Sequence, residues 1–165
     1  MTMPTAANQR DPVDVGAGAR AGIIAGLVFL ILEMVMVPLF LGGSMWGPPR
    51  MIAGIAMGSE VVPPPATFDA LIVLVALVVH FALAGLYGVV LSLFIGRMTT
   101  GTAVVAGGVF GLGLYIVNFS GFTMLFPWFA MARTWVTVVT HLVFGGVAAA
   151  VYMARSGRVA RVSVM

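Results

Sequence analysis

The sequence predicts an all-α integral membrane protein with four transmembrane helices, and three observations support that fold class. Hydrophobic residues make up 61% of the chain and charged residues only 8%, which leaves too little polar surface for a soluble domain of 165 residues. Four continuous apolar runs are each long enough to cross a hydrocarbon core, which takes roughly 20 helical residues. The chain also aligns with itself as two helical hairpins. Barrel strands are excluded, since they alternate polar with apolar residues.

The predicted spans divide the chain into a membrane domain and two polar ends. The spans cover residues 22–41, 70–95, 102–126 and 134–153. The transmembrane domain, 21–155, follows a flexible polar segment, 1–20, and precedes a basic tail, 156–165. The first apolar run exceeds the roughly 7–15 residues of a signal-peptide core, and no small-residue cleavage site follows it. The first helix is therefore expected to stay in the mature protein.

The long loop between the first two spans, 42–67, contains a signal for a short helix. Its segment RMIAGIAMG is mildly amphipathic and lies between two proline clusters. This pattern predicts a short interfacial helix over the outer end of the bundle, which is either a lid over a central site or a packing flap. Thr67 or Asp69 is expected to support the start of the second span.

The positions of the arginines predict that both termini are cytoplasmic. All eight basic residues are arginine. When four spans cross the membrane in alternating directions, six of these arginines fall on one side, namely Arg10, Arg20, Arg97, Arg155, Arg158 and Arg161. Only Arg50 and Arg133 fall on the other side, and basic residues favour the cytoplasm. The outer boundary also carries the interfacial aromatic residues Trp46, Trp128 and Trp135.

The expected partner of the basic residues is the lipid bilayer. Arginines next to a membrane exit satisfy the positive-inside bias and contact anionic headgroups. No motif of a nucleic-acid-binding module is present, so no nucleic acid is expected. A homo-oligomer or a larger membrane complex is compatible with so small a chain. The chain has no cysteine, which excludes disulfides, thiolate metal sites and haem attached through cysteine.

Two shifts of the chain against itself predict an internal duplication. A shift from 21 to 106 places Glu33 over Asn118, and a shift from 80 to 141 places His80 over His141. The difference between the two shifts falls in the longer loop of the first hairpin. Because both hairpins begin on the same side, they are predicted to be parallel repeats related by an axis along the membrane normal. Chance similarity between two helices rich in glycine and alanine is the alternative.

Four polar side chains from four different spans are predicted to lie at similar depth in the outer half of the bundle. They are Glu33, His80, Asn118 and His141. Small residues recur at helical spacing on the same faces, which predicts that these faces point at neighbouring helices. An ionised carboxylate facing lipid costs about 2.5–3.5 kcal/mol on insertion scales. Glu33 is therefore expected to face inward, held by a histidine, a proton or a metal.

Three interpretations of this cluster are open from the sequence. The first is polar glue, in which the side chains hydrogen-bond one another between helices. The second is a transition-metal site formed by Glu33, His80, Asn118 and His141, or a haem b held axially by His80 and His141. The third is a proton or ion relay. No local metal motif such as HExxH is present, and a catalytic role follows only if a metal binds.

The chain resembles a group of small four-span bacterial inner-membrane proteins, some of which are labelled sodium:proline symporter. The resemblance rests on EMVMVPLFLGGSMWGPPRMIA, the mid-span His80 and HLVFGGVAAAVY, and it covers roughly residues 20–155. It implies a multi-pass protein of the bacterial inner membrane. Sodium:solute symporters have many more spans, with inverted repeats, so sodium transport is not implied. The expectation is a small membrane protein or accessory subunit, with a transporter or proton conductor as the alternative.

Overall fold

The structure, a computed structural model, describes residues 13–62, 64 and 66–156, and this part of the chain is helical without strands. Five α-helices follow one another: α1 Val15–Leu41, α2 Gly47–Met57, α3 Ala70–Ile95, α4 Thr100–Ile116 and α5 Trp135–Arg155. A π-helical turn, Val117–Gly121, extends α4. Most of the predicted polar segment 1–20 and nearly all of the basic tail 156–165 lie outside the described residues.

Four of the described helical segments are long and apolar enough to cross a membrane. They are Val15–Leu41, Ala70–Ile95, Thr100–Met124 and Trp135–Arg155. The all-α prediction with four candidate spans is therefore confirmed. Because consecutive spans alternate in direction, α1 and α4 run one way and α3 and α5 the other. We call the end of the bundle that carries α2 the α2 end, and the other end the opposite end.

The first helix begins at Val15, before the predicted start at residue 22. The Asp14 side chain accepts a hydrogen bond from the backbone N–H of Ala17 at 2.8 Å and so caps the helix. Arg20 Nε also donates to the Gly16 carbonyl at 3.2 Å. Residues 15–20, expected in the flexible segment, are therefore helical. The apolar pattern marks the membrane-crossing part of a helix, whereas its capping residue sets where it begins.

The third span departs from the single continuous helix predicted at 102–126. After α4 ends at Ile116, the chain forms the π-helical turn and then a 3₁₀ turn, Phe122–Met124. The Arg133 side chain stabilises this irregular segment. Its Nε donates to the Phe119 carbonyl at 2.6 Å and its Nη2 to the Thr123 hydroxyl at 2.9 Å. Carbonyls freed by an irregular helix end need such partners.

The short helix predicted in the long loop is α2, and hydrogen bonds connect it to the neighbouring loops. Trp128 Nε1 donates to the Met51 carbonyl at 3.1 Å. Arg50 Nη1 donates to the Val61 carbonyl at 2.9 Å. Asp69 caps α3 by accepting from two backbone N–H groups, at 3.0 Å each. The Trp128 and Arg50 contacts hold α2 against the neighbouring loops at this end of the bundle, where α2 also packs against α3.

Glycines bring the backbones of paired helices into direct contact in the half of the bundle near the opposite end. A Cβ atom on Gly22 of α1 would collide with the Ala84 carbonyl of α3. One on Gly107 of α4 would collide with the Gly145 carbonyl of α5. The small-residue faces predicted from the sequence therefore do point at neighbouring helices. α1 pairs with α3, and α4 pairs with α5.

The two helix pairs pack closely along one side and make few contacts along the other. α1 packs along much of α5, whereas α3 and α4 make few contacts. Buried small and apolar residues fill the space between the pairs near the opposite end, among them Ala21, Ala25, Leu91, Ala148 and Tyr152. The bundle is thus closed at α1 and α5 and open between α3 and α4.

Gly111→Ala is expected to destabilise the bundle, because its Cβ would collide with the His141 carbonyl. The loss should be about 1–3 kcal/mol in the free energy of unfolding, as for other overpacked sites. Gly113, on the same helix, has no atom within 4 Å of an added Cβ, so Gly113→Ala is the matched control. It should leave stability unchanged or raise it slightly. Unfolding in mild detergent, followed by tryptophan fluorescence, measures both; equal effects would contradict the packing.

Candidate functional site

A cavity of about 770 Å³ lies between the spans in the half of the bundle near the α2 end. The four polar residues singled out in the sequence all line its wall: Glu33, His80, Asn118 and His141. Each comes from a different span. Cavities of roughly 300–1,000 Å³ that are mostly apolar, with a few polar groups, are typical of small-molecule sites.

Glu33 is buried in the wall, with 5% of its surface exposed, and its partner is a threonine. The Thr140 hydroxyl of α5 lies 2.6 Å from Glu33 Oε1 and 3.0 Å from the Thr137 carbonyl of its own helix. Sequence reasoning expected a histidine, a proton or a metal to hold Glu33 and missed Thr140. This hydrogen bond joins α1 to α5 on the closed side of the bundle.

His141 belongs to a hydrogen-bonded chain that joins three spans through Asn118. Its Nδ1 donates to the Thr137 carbonyl at 2.8 Å, which leaves Nε2 of a neutral ring as an acceptor. Asn118 Nδ2 donates to that Nε2 at 3.4 Å. Asn118 Oδ1 accepts from the Tyr87 hydroxyl at 3.3 Å. The chain links α3, the π-helical turn and α5 across the open side.

His80 makes a separate contact between α3 and α1. Its Nε2 donates to the Gly26 carbonyl at 2.8 Å, so Nδ1 of a neutral ring is left as an acceptor. Phe29 of α1 contacts both imidazoles, with ring centroids 5.7 Å from His80 and 4.9 Å from His141. The two histidines therefore lie on α3 and α5, the two helices that flank α1, and the phenyl ring of Phe29 contacts both imidazoles.

The geometry of the four polar residues favours contacts between helices over a shared metal. Within residues 13–62, 64 and 66–156, no three His, Asp or Glu side chains come close enough to hold one metal ion. Each imidazole donates one N–H to a backbone carbonyl, an arrangement that metal-ligating histidines also have, so these hydrogen bonds do not decide between the two. The transition-metal site of Glu33, His80, Asn118 and His141, and the haem b between the histidines, stay predictions from the sequence.

Aromatic rings make up much of the remaining wall. They include Phe29, Tyr87, Phe119, Phe126, Phe129 and Phe144. Phe119 contacts the rings of both His141 and Phe129, at centroid distances of 5.5 and 5.7 Å. Arg50 lines the wall from α2, and its Nε donates to the Thr67 carbonyl at 2.8 Å. The cavity thus has a carboxyl deep in its wall and a guanidinium at the α2 end.

The cavity opens sideways between α3 and α4. Leu86 of α3 and Phe122 after α4 both line it, yet 55% and 40% of their surfaces are exposed. In a protein that spans a membrane, this side faces lipid. A molecule dissolved in the bilayer can therefore enter without crossing the α2 end.

Two residues of the site were missed from the sequence, Thr140 and Tyr87. A signal for the first was present, because Thr137, Thr140 and His141 share one face of α5 at helical spacing. Tyr87 carried no such signal, since its contact with Asn118 depends on how α3 and α4 are placed in space.

Comparisons of the chain with protein-family models, with curated proteins and with solved structures give no match. The resemblance to small bacterial inner-membrane proteins is therefore neither supported nor contradicted by them. Function has to be inferred from the cavity and its wall.

The Glu33–Thr140 hydrogen bond is expected to contribute to stability, because both side chains are buried and removing the Thr140 hydroxyl leaves the Glu33 carboxyl without its protein partner. A double-mutant cycle with Thr140→Val, Glu33→Leu and the double variant isolates the pair. The expected coupling is about 1–3 kcal/mol in the free energy of unfolding, measured in mild detergent. Additive single losses would show that the contact contributes nothing.

Proposed function

We propose that this protein binds a small, largely apolar molecule with a polar head group, taken up from the membrane into its cavity. The observation that carries the proposal is the convergence of four polar side chains from four spans on one mainly apolar cavity that several aromatic rings line. Such a wall suits a ligand that is apolar over most of its surface and is oriented by a few polar contacts. The opening between α3 and α4 gives a lateral route for entry.

The polar cluster has two roles in this proposal. Its hydrogen bonds act as polar glue, which joins α1 to α5, α1 to α3, and α3 through the π-helical turn to α5. Its remaining acceptor atoms, Glu33 Oε2 and His80 Nδ1, are available to a ligand. α2 covers the end of the bundle that carries it and is held there by hydrogen bonds, so the lateral opening is the expected path for ligand entry.

We also propose that the four spans derive from the duplication of one helical hairpin. Two contacts of the first helix pair recur at the related positions of the second pair. They are Gly22 with Ala84 and Gly107 with Gly145, then Gly26 with His80 and Gly111 with His141. The same two shifts that align the sequence relate these contacts. Chance similarity of glycine-rich helices does not require contacts to correspond in this way.

The proposed orientation places the α2 end outside and both termini in the cytoplasm of a bacterium, with the protein in the inner membrane. The arginine distribution supports it, since among the arginines that the structure describes Arg50 and Arg133 lie at the α2 end, whereas Arg20, Arg97 and Arg155 lie at the opposite end. Aromatic pairs expected of a membrane boundary also lie there. They are Phe40 with Trp135 and Trp46 with Phe68.

Leu114→Trp is expected to abolish or weaken ligand binding, because Leu114 lines the cavity and a larger side chain fills it. The neutral fluorophore 1-aminoanthracene serves as the probe, in equilibrium dialysis against nanodiscs with and without protein. Saturable binding to the native chain should weaken at least about tenfold in Leu114→Trp, or by about 1.4 kcal/mol. Leu112→Trp, on the outer face of the same helix, should bind normally. No saturable binding to the native chain would contradict the proposal.

The orientation can be tested with single cysteines, because the chain has none of its own. Glu60 and Thr100 are both exposed, the first near the α2 end and the second at the opposite end. In intact spheroplasts, a membrane-impermeant maleimide should label Glu60→Cys. It should label Thr100→Cys only after lysis. The reverse pattern would place the α2 end in the cytoplasm.

A further inference from the structure

The Glu33 carboxyl presents one oxygen to the cavity without a protein partner. Oε1 lies at 2.6 Å from the Thr140 hydroxyl, and within the described residues no other hydrogen bond reaches the carboxyl. Oε2 is not sealed in the packed interior either. Among the described residues, the fully buried side-chain oxygen and nitrogen atoms without a hydrogen-bond partner are the hydroxyls of Tyr152 and Ser156, and Glu33 Oε2 is not one of them. Oε2 therefore borders the cavity.

No basic side chain on the cavity wall is directed at this oxygen. Arg50 lines the cavity from α2, but its guanidinium donates to Thr67 and Val61. His80 and His141 direct one N–H each to a backbone carbonyl. An ionised carboxylate in so apolar a setting is stable only beside a positive charge. The carboxyl is therefore neutral, with a proton bound, while no cation is near, and it ionises when a cation in the cavity supplies the positive charge.

The rings around the cavity favour the same sign of charge. The faces of aromatic rings are negative and attract a cation that lies within about 6 Å of the ring centroid. The attraction is strongest where water is excluded. Phe29 lies one helical turn from Glu33 and packs against Phe144 with ring centroids 6.4 Å apart, and Phe119 also lines the cavity. An anionic head group would meet a carboxylate and ring faces together. A metal cation is less suited, because no group of three His, Asp or Glu ligands forms in the described part of the chain.

We propose that the head group of the ligand is an organic cation, such as a quaternary ammonium or phosphonium. Its positive centre lies beside Glu33 Oε2, and its apolar substituents lie among the phenylalanine rings. The inference rests on the proposed function, because it names the class of molecule that the same cavity takes. The cation enters from the bilayer between α3 and α4, where its apolar groups pass between Leu86 and Phe122.

Two probes of different charge separate this inference from the proposed function. Tetraphenylphosphonium carries a shielded positive charge, and 1-aminoanthracene is neutral. Glu33→Gln keeps the size of the side chain and an acceptor for Thr140, but it removes the negative charge. In nanodiscs, this substitution should weaken tetraphenylphosphonium binding at least about tenfold, which is about 1.4 kcal/mol, and change 1-aminoanthracene binding much less, because the amide keeps an acceptor for a neutral amine. The neutral probe thereby reports that the variant is folded and its cavity intact.

A competition experiment on the native chain needs no variant. Tetraphenylphosphonium should displace 1-aminoanthracene, whereas tetraphenylborate, of nearly the same shape and opposite charge, should displace it at least about tenfold less well. Equal displacement, or no effect of Glu33→Gln on the cation, overturns the inference and leaves the proposed function standing. Failure of the native chain to bind 1-aminoanthracene overturns the proposed function instead. If Glu33→Gln loses both probes, the competition on the native chain decides.

Discussion

The contact of glycine backbones near the opposite end is the constraint on which the rest of the structure depends. Gly22 and Gly107 allow their helices to touch the partner helix, so each pair converges there. Towards the α2 end the same helix faces carry larger side chains, such as Phe29 and Glu33. Helices that touch at one end and carry larger residues at the other must diverge. The cavity lies where they diverge, and it is therefore a consequence of the order of small and large residues along each face.

The second determinant is an asymmetry between the two places where the helix pairs meet. α1 and α5 pack closely, and Thr140 joins them through Glu33. Under the proposed duplication, the shift that places His80 over His141 places Val79 of α3 at the position of Thr140, and Val79 offers no hydroxyl. Between α3 and α4 the link is instead the longer Tyr87–Asn118 hydrogen bond, at 3.3 Å. The Glu33–Thr140 hydrogen bond keeps the bundle closed between α1 and α5. The weaker Tyr87–Asn118 hydrogen bond leaves it open towards lipid between α3 and α4.

Hydropathy and helical spacing predicted the four spans and the convergence of the polar residues, because both are properties of a single helix and its faces. α1 begins before the apolar run because Asp14 caps it, and capping depends on one side chain rather than on average polarity. The π-helical turn at Asn118 was not predictable from spacing, because Arg133, from beyond the span, stabilises it. Thr140 and Tyr87 were missed for a related reason. Helical spacing places Thr140 on the same face as His141, but the partner of each residue is fixed by which helices become neighbours, and a pattern along one helix does not contain that information.

The cavity is too large to be a packing defect, and its chemistry argues against a lipid tail as its natural occupant. Protein interiors are close-packed, and empty space of about 770 Å³ would forfeit contacts along the whole wall. An acyl chain entering beside Leu86 restores those contacts. It cannot restore a partner to Glu33 Oε2 or His80 Nδ1, and a polar atom that borders an apolar medium without a partner is destabilising. An occupant that satisfies both requirements is apolar over most of its surface and polar at the end that reaches Glu33.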